Sequence, residues 1–201
     1  MLLDIVGALA SLLATYYFIR LTSKAWPVSL LAICLNSWLY WQKGIYADML
    51  LELFYFLSTC YGWYLWRSPA EKRNVNANLQ PSKKQWLLLV SFIVFLFVII
   101  LNLLLTFTNS NIATLDSLTA TLSLAAQWLL CHKMIATWVL WFITDAIYAY
   151  IYFHKQIPFH GILMLIYMVM AVIGYLTWAT QAKSRPNQKS KISKNLLADR
   201  S

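Results

Sequence analysis

The sequence predicts an all-α membrane protein, with seven transmembrane helices arranged as two parallel three-helix repeats joined by one linking helix. Three observations carry this expectation. The 201 residues are 61% hydrophobic and only 11% charged, with a mean hydropathy of +0.61, whereas soluble domains carry about 25% charged residues. The apolar residues gather into seven stretches of spanning length. Finally, the chain matches itself without a gap when it is shifted by 112 residues.

The first stretch, residues 2–19, holds an Ala8-Leu9-Ala10 that resembles a signal-peptidase site, but its leading segment carries Asp4 and no Lys or Arg. It therefore reads as a span and not a cleaved leader. Arg20 and Lys24 close it, and Trp26-Pro27 opens the second span, with proline in the first turn where its missing N–H is tolerated. That span runs to about Trp41, Gln42-Lys43-Gly44 forms a turn, and the third span covers about 45–66. Residues 67–85 (RSPAEKRNVNANLQPSKKQ) shift to polar composition and form a water-exposed loop. The linking span, 86–107, is followed by a short loop to 114. Spans at 115–131, 135–153 and 159–182 complete the second repeat, and a basic tail, 183–201, ends the chain. The organisation expected is thus a first repeat (1–66), a loop (67–85), a linker helix and its loop (86–114), a second repeat (115–182) and a tail (183–201).

Charge placement gives orientation. Of the sixteen Lys and Arg, fourteen fall on one side of such a topology, and only Lys43 and Lys155 fall on the other. The positive-inside rule puts the tail in the cytoplasm and the N-terminus outside. It also accounts for the net charge of +9 without a nucleic-acid partner. Cys34, Cys60 and Cys131 sit in apolar runs, and His132, His154 and His160 form no ligand pattern, so no metal or other cofactor is expected. GxxxxGK[ST], GxSxG and HExxH are all absent, which argues against a P-loop or a familiar membrane hydrolase. A membrane-embedded enzyme or a receptor is the alternative from another class.

In the self-match, fifteen identities pair residues 3–66 with 115–178. They include Trp26 with Trp138, Tyr55 with Tyr167, Gly62 with Gly174 and Trp66 with Trp178. The intervening helix restores the chain direction, so the repeats enter the membrane the same way round and are expected to pack about an axis along its normal, with a site between them.

Asp145 is the asymmetric feature, because its counterpart in the first repeat is Ile33. At helical spacing Trp138, Trp141, Asp145, Tyr148 and Tyr152 share one face. A carboxylate at bilayer depth costs about 3 kcal/mol on insertion scales and marks a substrate path or a structural pair; for Asp145 the structural partners open to it are Gln127 and tyrosine hydroxyls. The matched helix contributes Ser29 and Asn36, the third and fifth spans Glu52, Tyr55 and Gln127, and the seventh His160, Met164 and Tyr167. An acidic, aromatic box of this kind suits a flat cationic ring, with cation–π attraction worth about 2 kcal/mol when desolvated. The substrate-binding candidates are Trp138, Trp141, Asp145, Tyr148, Glu52, Tyr55, Asn36 and Gln127. Asp4 and Asp116 read as first-turn acids, Asp48 as interfacial, and Trp26, Trp63, Trp66 and Trp178 as aromatics at the membrane boundary.

The pieces WPVSLLAICLNSWLYWQKGIYADMLLELFYFLSTCYGWYLW, LDSLTATLSLAAQWLL, TWVLWFITDAIYAYIYF and MAVIGYLTW, above all the WxxW element at Trp138 and Trp141 with Asp145 four residues on, resemble the PnuC family of bacterial vitamin transporters. The resemblance covers nearly the whole chain. It implies a SWEET-like three-one-three fold in the inner membrane and facilitated diffusion of nicotinamide riboside, which a cytosolic kinase traps by phosphorylation without contact with the carrier. It also implies that the WxxW helix and the third span line the site. Asp145 and Glu52 stand where nicotinamide riboside carriers often have Asn and Gln, so thiamine, another flat cation, and riboflavin stay open as alternative substrates. Membrane lipid is the other partner implied, and a homo-oligomer is compatible with the resemblance.

Overall fold

The computed structural model describes the backbone of residues 2–43, 46–67, 83–107 and 113–198. Side chains are described for 5–39, 41–42, 51–67, 83–84, 86–106 and 113–183. Expectations for the side chains of Asp4 and Asp48 and for loop residues 68–82 lie outside these.

Seven helices follow one another among the described residues: α1 (Leu2–Ile19), α2 (Ala25–Lys43), α3 (Tyr46–Arg67), α4 (Lys83–Phe107), α5 (Ala113–Cys131), α6 (Ala136–His154) and α7 (Pro158–Ala198). Pro27 sits in the first turn of α2, where no intrahelical bond is lost. By length and composition α6, α7 and the Trp86–Thr106 part of α4 are able to cross a membrane. The hydropathy of α3 and α5 is diluted by groups that face inward: Glu52 and Thr59 on α3, and Ser117, Thr119, Thr121, Ser123 and Gln127 on α5, are all buried. In α5 the hydroxyls of Ser117 and Thr121 donate to the carbonyls of Ala113 and Ser117 at 2.6 and 2.7 Å, so they need no water. The apolar stretch was expected to stop at 182, but α7 runs on to Ala198. Apart from Pro186, which has no N–H to donate, each further residue adds a backbone bond, and several tail residues are good helix formers.

Contacts between neighbouring helices run α1–α2–α3–α5–α6–α7 and back to α1, a closed ring in which the backbones of α2 and α6 stay apart among the described residues. The helix α4 lies outside the ring against α5 and is otherwise largely uncovered. Within each repeat the helices pack in the order first, second, third, and the repeats meet at two seams, α3 with α5 and α1 with α7. A shift of 112 residues exchanges these two seams, as a duplicated architecture requires.

The turns copy each other in detail. After α1, Leu21 takes φ 52°; after α5, Lys133 takes φ 54°. Leu21 N–H donates to Phe18 O and Thr22 N–H to Tyr17 O, while Lys133 N–H donates to Leu130 O and Met134 N–H to Leu129 O, all at 3.0 or 3.1 Å. This is the Schellman arrangement, which satisfies the last helix carbonyls through one left-handed residue. The end of α6 repeats it at Gln156, φ 59°.

The largest buried cluster lies at the end of the ring where α1, α3 and α5 finish, alongside Arg20, Arg67 and Lys133. Trp26 and Trp178 are 0% exposed, and Trp66 and Trp138 are also buried. Trp26 meets Trp66 edge to face at 5.3 Å, and Trp138 meets Trp178 the same way at 5.4 Å. Boundary anchoring therefore does not describe Trp26, Trp66 or Trp178, which are core residues; Trp63 is half-buried and packs against the cluster. Each central indole is seated on a glycine. A Cβ on Gly62 would fall 2.1 Å from the Trp26 ring, and one on Gly174 would fall 2.5 Å from the Trp138 ring.

Gly62→Ala and Gly174→Ala should each lower stability by about 1–3 kcal/mol, because the added methyl meets a rigid ring in a packed core. Thermal unfolding in detergent checks this, and an unchanged midpoint for both would contradict the packing. Gln156→Gly, on an exposed turn, should instead raise the midpoint, relieving about 1 kcal/mol of left-handed strain.

Candidate functional site

Polar side chains buried on the ring helices, Glu52, Thr59, Gln127 and Asp145 among them, define its lumen. At 1.5 Å per residue, Asp145 sits near the middle of α6, roughly 14 Å from its start at the tryptophan end. It is 7% exposed, and among the described residues it has no hydrogen bond or ion pair. Tyr167 of α7 lies within electrostatic reach of it and is hydrogen-bonded to Ser11 of α1 across one seam. Across the other seam, buried Gln127 Nε2 of α5 donates to Thr59 Oγ1 of α3 at 3.3 Å. With its amide nitrogen so engaged, the Gln127 carbonyl oxygen keeps lone pairs for another group.

Towards the opposite end, Asn36 Nδ2 of α2 donates to Glu52 Oε1 of α3 at 3.4 Å. The backbone of Gly7 on α1 passes so close to Asn36 that a Cβ there would fall 2.6 Å from Oδ1. A crevice of about 560 Å³ along α2 and α3 reaches Ile33 and Glu52, with Trp38, Trp41 and Phe56 among its walls. Its walls Trp38, Trp41, Leu53 and Phe56 are exposed, so it opens on the outer face of the ring, and Asp145 and Gln127 do not line it. Tyr148 stacks on Tyr152 at 6.0 Å and 19°, and Tyr152 in turn contacts His160 at 5.3 Å.

The predicted residues are thus brought together unequally. Asp145, Glu52, Asn36 and Gln127 are buried or half-buried on α6, α3, α2 and α5 of one ring; Tyr148 and Tyr55 are half-buried on α6 and α3. Trp141 is half-buried and packs against the tryptophan cluster one turn beyond Trp138. Trp138 itself is enclosed between Trp178 and the Gly174 backbone, with no free ring face for a ligand. Two further lumen residues, Ser11 and Thr59, are not among the predicted site residues, although helical spacing puts Thr59 on the face of Glu52 and Tyr55. A hydroxyl on an apolar helix is ordinary, and only the partner on a distant helix distinguishes these two.

Electrostatically the lumen is acidic. It holds two carboxylates, while the described Lys and Arg side chains lie at helix ends or turns or, for Lys183, where the apolar part of α7 stops. Burying a carboxylate without a partner is unfavourable, so the arrangement favours a ligand that brings its own positive charge and disfavours one that brings a phosphate.

A family model described as nicotinamide mononucleotide transporter matches residues 1–180. The chain is 22% identical over 208 aligned positions to the nicotinamide riboside transporter PnuC of Escherichia coli (strain K12), covering 91% of this chain and 87% of that protein. The PnuC of Shigella flexneri matches to the same extent. The crystal structure of the vitamin B3 transporter PnuC superposes with a TM-score of 0.72 at 22% identity, covering 90% of this chain and 82% of that one. With a family model matched over most of its length, the chain belongs to the nicotinamide mononucleotide transporter family, that of PnuC, whose members are multi-pass membrane transporters and not enzymes.

Proposed function

We propose that this protein imports nicotinamide riboside across the bacterial inner membrane by facilitated diffusion, with trapping by a cytosolic kinase. The end of the ring that carries the tryptophan cluster and most of the basic residues faces the cytoplasm, and the N-terminus lies outside. The observation that supports this best is the pair of lumen acids, Asp145 and Glu52, in a lumen without a described cation. The pyridinium ring of nicotinamide riboside brings one positive charge and no phosphate. Asp145 balances that charge, and the rings of Tyr148, Tyr55 and Trp141 offer faces for stacking. The Gln127 carbonyl and the Asn36 amide group take the ribose hydroxyls. Nicotinamide mononucleotide would place a phosphate between two carboxylates with nothing to neutralise it, which disfavours the nucleotide and favours the nucleoside.

The second acid also supports thiamine as an alternative substrate. Its thiazolium supplies the cation, and its aminopyrimidine offers donors that Glu52, oriented by Asn36, is able to accept.

Calorimetric titration of the purified protein with nicotinamide riboside, thiamine and riboflavin separates these. Nicotinamide riboside should give the strongest binding. Asp145→Asn should weaken either cation at least tenfold, the loss expected of a charge-assisted contact worth about 1.4 kcal/mol or more. Equal affinity of wild type and Asp145→Asn for both cations would overturn the charge-balance reading, and tight binding of thiamine alone would replace the substrate.

A further inference from the structure

Under the self-match, Ile19 at the end of α1 corresponds to Cys131 at the end of α5, and Trp66 of α3 corresponds to Trp178 of α7. The structure joins these four positions crosswise. Trp66 Nε1 donates to Cys131 O at 3.0 Å across the α3–α5 seam, and Trp178 Nε1 donates to Phe18 O and Ile19 O at 3.2 Å across the α1–α7 seam. Each repeat thus hooks one indole onto the final turn of the other's first helix. Trp66 and Trp178 face each other across the axis at 6.4 Å, and Trp26 and Trp138 flank them edge-on. Because all four are buried, this layer leaves no passage along the axis at this end.

Two properties mark the layer as one able to open. Two of the acceptors, Ile19 O and Cys131 O, are carbonyls in the last turns of α1 and α5, groups that a helix leaves without intrahelical partners and that water satisfies equally well. Further, the indole N–H groups of Trp26 and Trp138, again corresponding positions, are buried with no acceptor among the described residues. The closed arrangement therefore holds two donors unsatisfied, and parting of the repeats would hydrate them. Lys133 Nζ lies 5.0 Å from the Trp66 ring centre at the mouth, while its counterpart Leu21 packs against the cluster from the other repeat. Asp145 and Trp138 share α6 at a separation of two turns, so a shift of that helix on binding a ligand is transmitted to the layer.

We propose that Trp26, Trp66, Trp138 and Trp178 are the gate of the transport path at the cytoplasmic end, latched shut by the two reciprocal indole–carbonyl bonds. This rests on the transport reading above, and the structure shows the gate closed. Each latch crosses a different seam, so releasing either one loosens both.

Cys131 is a native reporter, because it carries the acceptor carbonyl of one latch and is only 1% exposed. In a Cys34→Ser/Cys60→Ser background, its labelling by a membrane-impermeant maleimide is followed in inside-out vesicles without ligand. Trp66→Phe, which keeps the ring and removes the donor, should speed labelling about tenfold. Trp178→Phe should speed it several-fold although its own bond lies on the other seam. Where that variant does not fold, as judged by its melt in detergent, Trp178→Tyr takes its place. If the well-folded Trp178 variant leaves the Cys131 rate unchanged, the coupled gate is wrong and Trp66 is a local packing residue. Nicotinamide riboside added to the wild type should accelerate labelling. Acceleration by the Trp178 variant but not by this ligand supports the gate and counts against the substrate.

Discussion

An indole seated on a glycine is the contact on which the two halves of this molecule depend. Gly62 lets Trp26 lie against α3, and Gly174 lets Trp138 lie against α7. With those rings fixed, Trp66 and Trp178 are held edge-on to them and point their N–H groups outward to the neighbouring repeat. Helices in lipid gain little from hydrophobic exclusion, so close packing and interhelical hydrogen bonds must bring them together. Here both act at the same place, and the rest of the ring is organised from that end.

Above this layer the problem is different, since a polar lumen must be built from helices whose outer faces meet hydrocarbon. Serine and threonine hydroxyls in α5 are quieted by their own helix, and the amides of Gln127 and Asn36 are engaged with Thr59 and Glu52. Asp145 stands apart, buried on the lumen side and unmatched among the described residues. A site that leaves one charge uncompensated selects its ligand by that deficit, while the satisfied groups around it set orientation.

The fold was largely legible in the sequence because duplication leaves identical residues at one fixed offset, and lipid leaves long apolar runs. The same signals were poor guides to depth. Helical periodicity placed Trp138 on the face of Asp145, which is correct, yet two turns along that face carry it out of the lumen and into the tryptophan layer. Trp66 and Trp178 looked like boundary residues because they lie near helix ends, and only the packing of a distant helix shows them to be core. Nor do the turns announce themselves, because Leu21, Lys133 and Gln156 occupy a backbone conformation that glycine usually marks. Thr59 shares a face with Glu52 and Tyr55, yet it and Ser11 needed their partners on other helices before they could be placed in the site.

The peripheral position of α4, which among the described residues packs only against α5, bears on how such a molecule comes to have a lopsided site. Two copies of one three-helix unit, meeting as separate chains, would be obliged to carry the same residue at every matched position. A change that brought an acid to the axis would bring two. A tether on the outside of the ring removes that obligation without entering the ring itself. Each half is then free to drift, one settling on Ile33 and the other on Asp145 at corresponding places, so the linking helix is what permits a symmetric frame to recognise an asymmetric molecule.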